Sequence, residues 1–138
     1  MENFQRMSLT QKNIKELCQK FGLSFVVMFG SRASGKEGFK RDYDIAVLPS
    51  YPLKEKDELG LICKFAQDLQ SDDLDLLFLN RPAPLLCYEI AMNGSLIYEK
   101  DEGSFNNFRW RAIQRWNDVK KFYAQNKLYI KNYLKETE

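Results

Sequence analysis

A short apolar run over residues 24–29 stops at Gly30-Ser31. After a further ten residues, a second run opens on Asp42-Tyr43-Asp44 and continues as Ile45-Ala46-Val47-Leu48. This succession constrains the fold more than any other feature of the chain. Both runs have the length and the β-branched and aromatic content of buried strands. Gly30-Ser31 is a small-residue turn, and Ala33, Gly35 and Gly38 punctuate the loop that follows, so backbone N–H groups there can come close to a ligand. Asp42 and Asp44 are two residues apart, which puts both carboxylates on one side of a strand. A third run, Asp73-Leu74-Asp75-Leu76-Leu77-Phe78-Leu79, presents Asp73 and Asp75 on one face in the same way.

Hard divalent cations take oxygen ligands, and Mg²⁺ is commonly shared between one or two carboxylates and substrate phosphates. Asp42 and Asp44 beside a Gly-Ser turn therefore form a candidate site for Mg²⁺ and a nucleoside triphosphate. Two ions are expected there, one gripping the triphosphate and one lowering the pKa of an attacking hydroxyl. Gly30 and Ser31 are the candidate phosphate cradle, through backbone N–H and hydroxyl donors. Arg32, Lys36 and Lys40 are the nearby cations, and spacing alone singles out none of them. Asp75 and Asp73 both qualify as a third carboxylate. A lone Asp-x-Asp is usually a solvated strand end, but the turn, the pair and the later acidic strand together are far more specific.

What is missing narrows the field further. The chain contains no histidine. That excludes a Ser-His or Cys-His hydrolase, a His-ligated zinc site and a histidine base. Cys18, Cys63 and Cys87 have no metal-type spacing and are expected to be buried free thiols, Cys18 and Cys63 on apolar helical stripes. A formal charge of +2 over 138 residues argues against a general polyanion binder, so no direct contact with nucleic acid is expected. The charge is unevenly spread: from Phe105 onward there are eight Lys/Arg against three Asp/Glu. No apolar stretch approaches the ~20 residues of a membrane span and no signal peptide is visible, so the expected location is the cytoplasm.

Helical and extended segments alternate. A capping box at Ser8-Leu9-Thr10-Gln11 precedes a stripe of Ile14, Leu17, Cys18 and Phe21 that ends at Gly22. Leu59, Ile62, Cys63, Ala66 and Leu69 predict the inner face of a second helix. Pro82 suits the first turn of a short helix through Asn93, with Gly94 as its cap, and Ser95-Leu96-Ile97-Tyr98-Glu99 reads as a last strand. From Ser104 a stripe of Phe105, Phe108, Ala112, Trp116, Val119, Tyr123, Ile130 and Leu134 predicts one long helix. At ~1.5 Å per residue it would run ~45 Å, so it either breaks near Asn126 or overhangs the domain. Its aromatics are either core or a partner-binding face. One domain over residues 1–138 is expected, with a core of about 8–100 and a C-terminal helix of about 104–136.

At GSRASGKEGFKRDYD and DLDLLFLN the chain resembles the minimal nucleotidyltransferases of the DNA polymerase β superfamily, the MNT antitoxins paired with HEPN toxins. The similarity continues through RPAPLLCYEIAMNGSLIYEK into the C-terminal helix. Ser34 stands where the family often has Arg, and Arg41 where it often has Ser. The resemblance implies an α/β (α+β) fold, a small mixed sheet flanked by helices with a long C-terminal helix. It aligns Asp75 with the family's distal Asp, giving Asp42, Asp44 and Asp75 as catalytic residues and metal ligands, and Gly30, Ser31 and Arg32 as nucleotide-binding. It further implies transfer of AMP from ATP to a tyrosine of a HEPN ribonuclease toxin that the protein also binds, as a hetero-oligomer. Two alternatives are neutralisation by binding alone and nucleotidyl transfer to a small molecule of the aminoglycoside type.

Overall fold

The computed structural model describes residues 11–30, 43–70, 73–80 and 83–136. In chain order the elements are α1 (Gln11–Phe21), β1 (Leu23–Phe29), β2 (Tyr43–Pro49), α2 (Glu55–Leu69), β3 (Leu74–Phe78), α3 (Pro84–Asn93), β4 (Ser95–Glu99), α4 (Ser104–Gln125) and α5 (Lys127–Glu136). The strands form one mixed sheet in the order β3-β2-β1-β4. β1 pairs antiparallel with both β2 and β4, whereas β2 and β3 run parallel.

Strand alternation divides the apolar side chains between two layers. Val26, Met28, Tyr43, Ile45, Val47 and Phe78 pack with Ile14, Leu17, Leu61 and Phe65 of α1 and α2. Phe25, Val27 and Ala46 face the other way, onto Cys87, Ile90 and Ala91 of α3 and Phe105 and Ala112 of α4. Phe25 anchors this second layer, its ring centroid 5.2 Å from that of Phe105 and 5.3 Å from that of Phe108.

Two expectations need correction. α2 buries Leu61, Phe65 and Leu69, whereas Leu59 and Cys63 are exposed. Apolar residues occur nearly all round this helix, and the sheet takes the face that buries the larger Leu and Phe side chains, which removes more apolar area from water. Cys63 is therefore not a buried thiol, although Cys18 and Cys87 are. Burial pushes the Cys18 thiol up to about 12 and also raises Cys87, with Arg115 partly opposing the second effect. Brief alkylation of the native protein should modify Cys63 and spare the other two, since only an accessible thiolate reacts. Peptide mass mapping reads this out.

The C-terminal segment takes the broken form. Asn126 Nδ2 donates to Phe122 O at 2.9 Å, and its backbone N–H donates to Phe122 O and Tyr123 O. Such side-chain competition for backbone carbonyls interrupts a helix, and α5 restarts with Ile130 N–H on Asn126 O. The stripe is core at its start only. Phe105 and Ala112 are buried, but Tyr123 and Leu134 are exposed, as are Trp110, Phe122, Leu128 and Tyr129.

Pro84 rather than Pro82 stands at the start of α3; Pro82 and the capping residues Ser8, Leu9 and Thr10 lie outside the described residues. Glu99 caps α4, its two carboxylate oxygens each accepting at 3.2 Å, from Gly103 N–H and Phe105 N–H. A carboxylate at this position satisfies two orphan donors and complements the helix dipole. Glu99→Ala should cost about 1–2 kcal/mol, measured by denaturant titration. Among the described residues, no helix is long and apolar enough to cross a membrane.

Candidate functional site

Register brings the site together. Phe29 of β1 faces Asp44 of β2 across the antiparallel pair, and Asp44 faces Asp75 of β3 across the parallel one. Ala46 and Leu77, two residues beyond Asp44 and Asp75, belong to the α3/α4 layer together with Phe29. Alternation therefore puts Phe29, Asp44 and Asp75 in one lateral row on that face. Neighbouring strands lie about 4.8 Å apart, so two carboxylates at registered positions can share a cation. Asp75 is exposed and Asp44 half-buried.

Gly30 closes the row behind Asp44. Its φ of +79° lies in the left-handed region that glycine adopts freely. A Cβ at this position would collide with Asp44 Oδ2 and lie 3.0 Å from Cγ. The turn thus brings bare backbone against the Asp44 carboxylate, as a close approach of phosphate to that carboxylate would require.

The other expected residues divide clearly. Asp73 precedes β3, and its carbonyl accepts from Tyr43 N–H at 2.8 Å, extending the β2–β3 ladder. Asp75, not Asp73, is the registered partner of Asp44. Asp42, Ser31 and Arg32 lie outside the described residues. Among the described residues there is no cluster of three carboxylates that could hold a metal. Asp44 and Asp75 nevertheless fit a hard divalent cation: both offer oxygen donors, on adjacent strands and on the same face.

A cleft of ≈ 550 Å³ flanks the row on the β1 side. Phe29 and Gly30 form one wall and Glu89, Ile90, Met92 and Asn93 of α3 the other. Sequence reasoning missed these α3 residues, because a Glu and an Asn on an amphipathic helix carry no signal until the fold sets them against the Gly30 turn. The end of α3 is held by Arg109, whose Nε–H donates to Ala91 O at 2.8 Å.

Comparison with known proteins identifies the family and the fold. Residues 12–103 match the family described as polymerase beta, nucleotidyltransferase. The chain is 28% identical over 122 residues to "Protein adenylyltransferase MntA" of Aphanizomenon flos-aquae (strain 2012/KM1/D3), with 81% of each chain covered. Among solved structures it is similar to a toxin-antitoxin with AMP-PNP, with a TM-score of 0.71 and 24% identity over 91% of this chain and 99% of that one. It is also similar to a chain of the tri-AMPylated Shewanella oneidensis HEPN toxin in complex with MNT antitoxin, with a TM-score of 0.65, 24% identity and the same coverage. These likenesses bear out the expected fold, a mixed sheet flanked by helices with a C-terminal helical segment.

Proposed function

This chain belongs to the polymerase beta nucleotidyltransferase family, and we propose that within it the protein is an antitoxin that transfers AMP from ATP to a tyrosine of a HEPN toxin. The observation that carries this reading is the lateral row of Asp44 and Asp75, with Gly30 backed against Asp44. Support for a protein acceptor comes from the name of the adenylyltransferase relative and from the AMPylated toxin in the similar complex.

Asp42, Asp44 and Asp75 would hold Mg²⁺, which when bound neutralises triphosphate charge and makes the acceptor hydroxyl more acidic. Gly30 and Ser31 orient the β- and γ-phosphates, with Arg32 adding positive charge. Asp75, on the outer side of the row, accepts the proton of the tyrosine hydroxyl. The phenolic oxygen forms a bond to the α-phosphorus as the bond to the β-phosphate oxygen breaks, and pyrophosphate leaves. Positioning and charge neutralisation supply the catalysis, and the protein forms no covalent bond of its own.

Binding to the toxin accompanies catalysis in this reading. Phe122, Leu128 and Tyr129 are exposed around the α4–α5 break, among Lys120, Lys121, Lys127 and Lys131. Large aromatics beside basic residues suit a protein interface. A function by binding alone would leave the registered carboxylates without a task. The test is pyrophosphate release from ATP in the presence of the toxin. It should require Mg²⁺, stop on addition of EDTA and resume when Mg²⁺ is restored. Release that persists in EDTA would overturn the metal-assisted mechanism.

A further inference from the structure

The cleft between Gly30 and α3 adjoins the proposed phosphate turn, yet its lining does not suit phosphate. Among the described residues, it is lined by the Glu89 carboxylate and by no Lys or Arg. It also receives the C-terminal end of α3, whose dipole disfavours anions. In the sequence, Arg32, Lys36, Lys40 and Arg41 follow the Gly30 turn. Nor is the cleft on the acceptor side. Asp75 stands on the edge strand β3, and β2 separates it from β1, whose end forms the cleft wall. What remains is the uncharged part of the substrate, for which a cavity of ≈ 550 Å³ is of ligand-binding size.

Its surface has the chemistry of a nucleobase site. Phe29 and Met92 give an apolar wall, and Asn93 at the last position of α3 gives an amide. Asparagine pairs in bidentate fashion with adenine, accepting from the exocyclic amine and donating to a ring nitrogen. The Asn93 amide is also oriented, because Nδ2–H donates to Glu89 Oε2 at 3.4 Å. That bond leaves the second N–H and Oδ1 for a ligand, and it opposes the half-turn that would exchange donor and acceptor. Guanine turns two acceptors, O6 and N7, toward such an edge, and its O6 would also face the Glu89 carboxylate.

We infer that this cleft seats the nucleoside of the triphosphate, with the base against Met92 and Phe29, and that Asn93, positioned by Glu89, selects adenine over guanine. This rests on the nucleotidyltransferase reading and names the part of its site that determines the base. The experiment is equilibrium binding of ATP, GTP and inorganic tripolyphosphate, each with Mg²⁺, to the full chain and to Asn93→Ala and Glu89→Gln. The native protein should favour ATP over GTP by about tenfold or more, and Asn93→Ala should lose most of that preference by weakening ATP alone. Glu89→Gln should narrow the preference less, and tripolyphosphate affinity should stay the same throughout. An unchanged ATP:GTP ratio in Asn93→Ala, or a parallel loss of tripolyphosphate, would overturn the cleft assignment and leave the transferase reading standing. A native protein that binds neither ATP nor tripolyphosphate would sink both.

Discussion

Replacing Asp44 by Asn should lower nucleotidyl transfer by about 10³-fold while leaving the fold intact. Asn keeps the size of the side chain and one oxygen but removes the charge that a divalent cation needs. Metal stabilisation of phosphoryl charge is worth several kcal/mol, and about 4 kcal/mol corresponds to three decades in rate. The side chain is half-buried at the end of β2, so the loss should appear in kcat rather than in melting temperature. Single-turnover assays at saturating ATP, with thermal unfolding alongside, separate the two. Asp73→Asn, one position before β3 and off the registered pair, should be far milder.

Gly30→Ala is the second large effect, and it tests geometry rather than charge. The new methyl group would occupy the space of Asp44 Oδ2, at a backbone φ of +79° that alanine adopts with strain. Strain of this kind costs on the order of 1–3 kcal/mol in stability. The carboxylate must also swing away, and a displacement of about 1 Å at a reacting centre can cost about 10²-fold in rate. The variant should therefore lose both stability and activity, unlike Asp44→Asn, which should lose activity alone. Gly103, with a similar φ of +92° and open space around it, supplies the control. Gly103→Ala should carry the backbone strain without the loss of transfer.

Within the candidate site, the Gly30 turn and the position of Asp44 at the start of β2 were legible in the residues because they depend on short-range rules. The period-two spacing of acids, the small-residue turn and the apolar runs fix strands and faces before any tertiary contact is known. The strand order is not a local property, and the residues alone left Asp75 and Asp73 open; the preference for Asp75 came from the family resemblance. Register with Asp44 distinguishes the two geometrically. The expected inner face of α2 holds at Leu69 and partly at Ile62 but not at Leu59 and Cys63, because Leu59, Ile62, Cys63, Ala66 and Leu69 make as regular a stripe as Leu61, Phe65 and Leu69. Only packing against the sheet chooses between them. The end of α2 was hidden for another reason: Gln70 takes the left-handed stop with φ 52°, a role more often signalled by Gly or Asn. The cleft residues of α3 were invisible because nothing in Glu89 or Asn93 refers to Gly30, about sixty positions away.

The most direct measurement is the intact mass of a candidate HEPN toxin after incubation with this chain, ATP and Mg²⁺, and in parallel with Asp44→Asn. The expected result is a gain of one or more AMP residues, mapped by fragmentation to tyrosine and absent with the variant. An unchanged mass in a complex that still forms would contradict it, and would leave the chain neutralising its partner by contact alone.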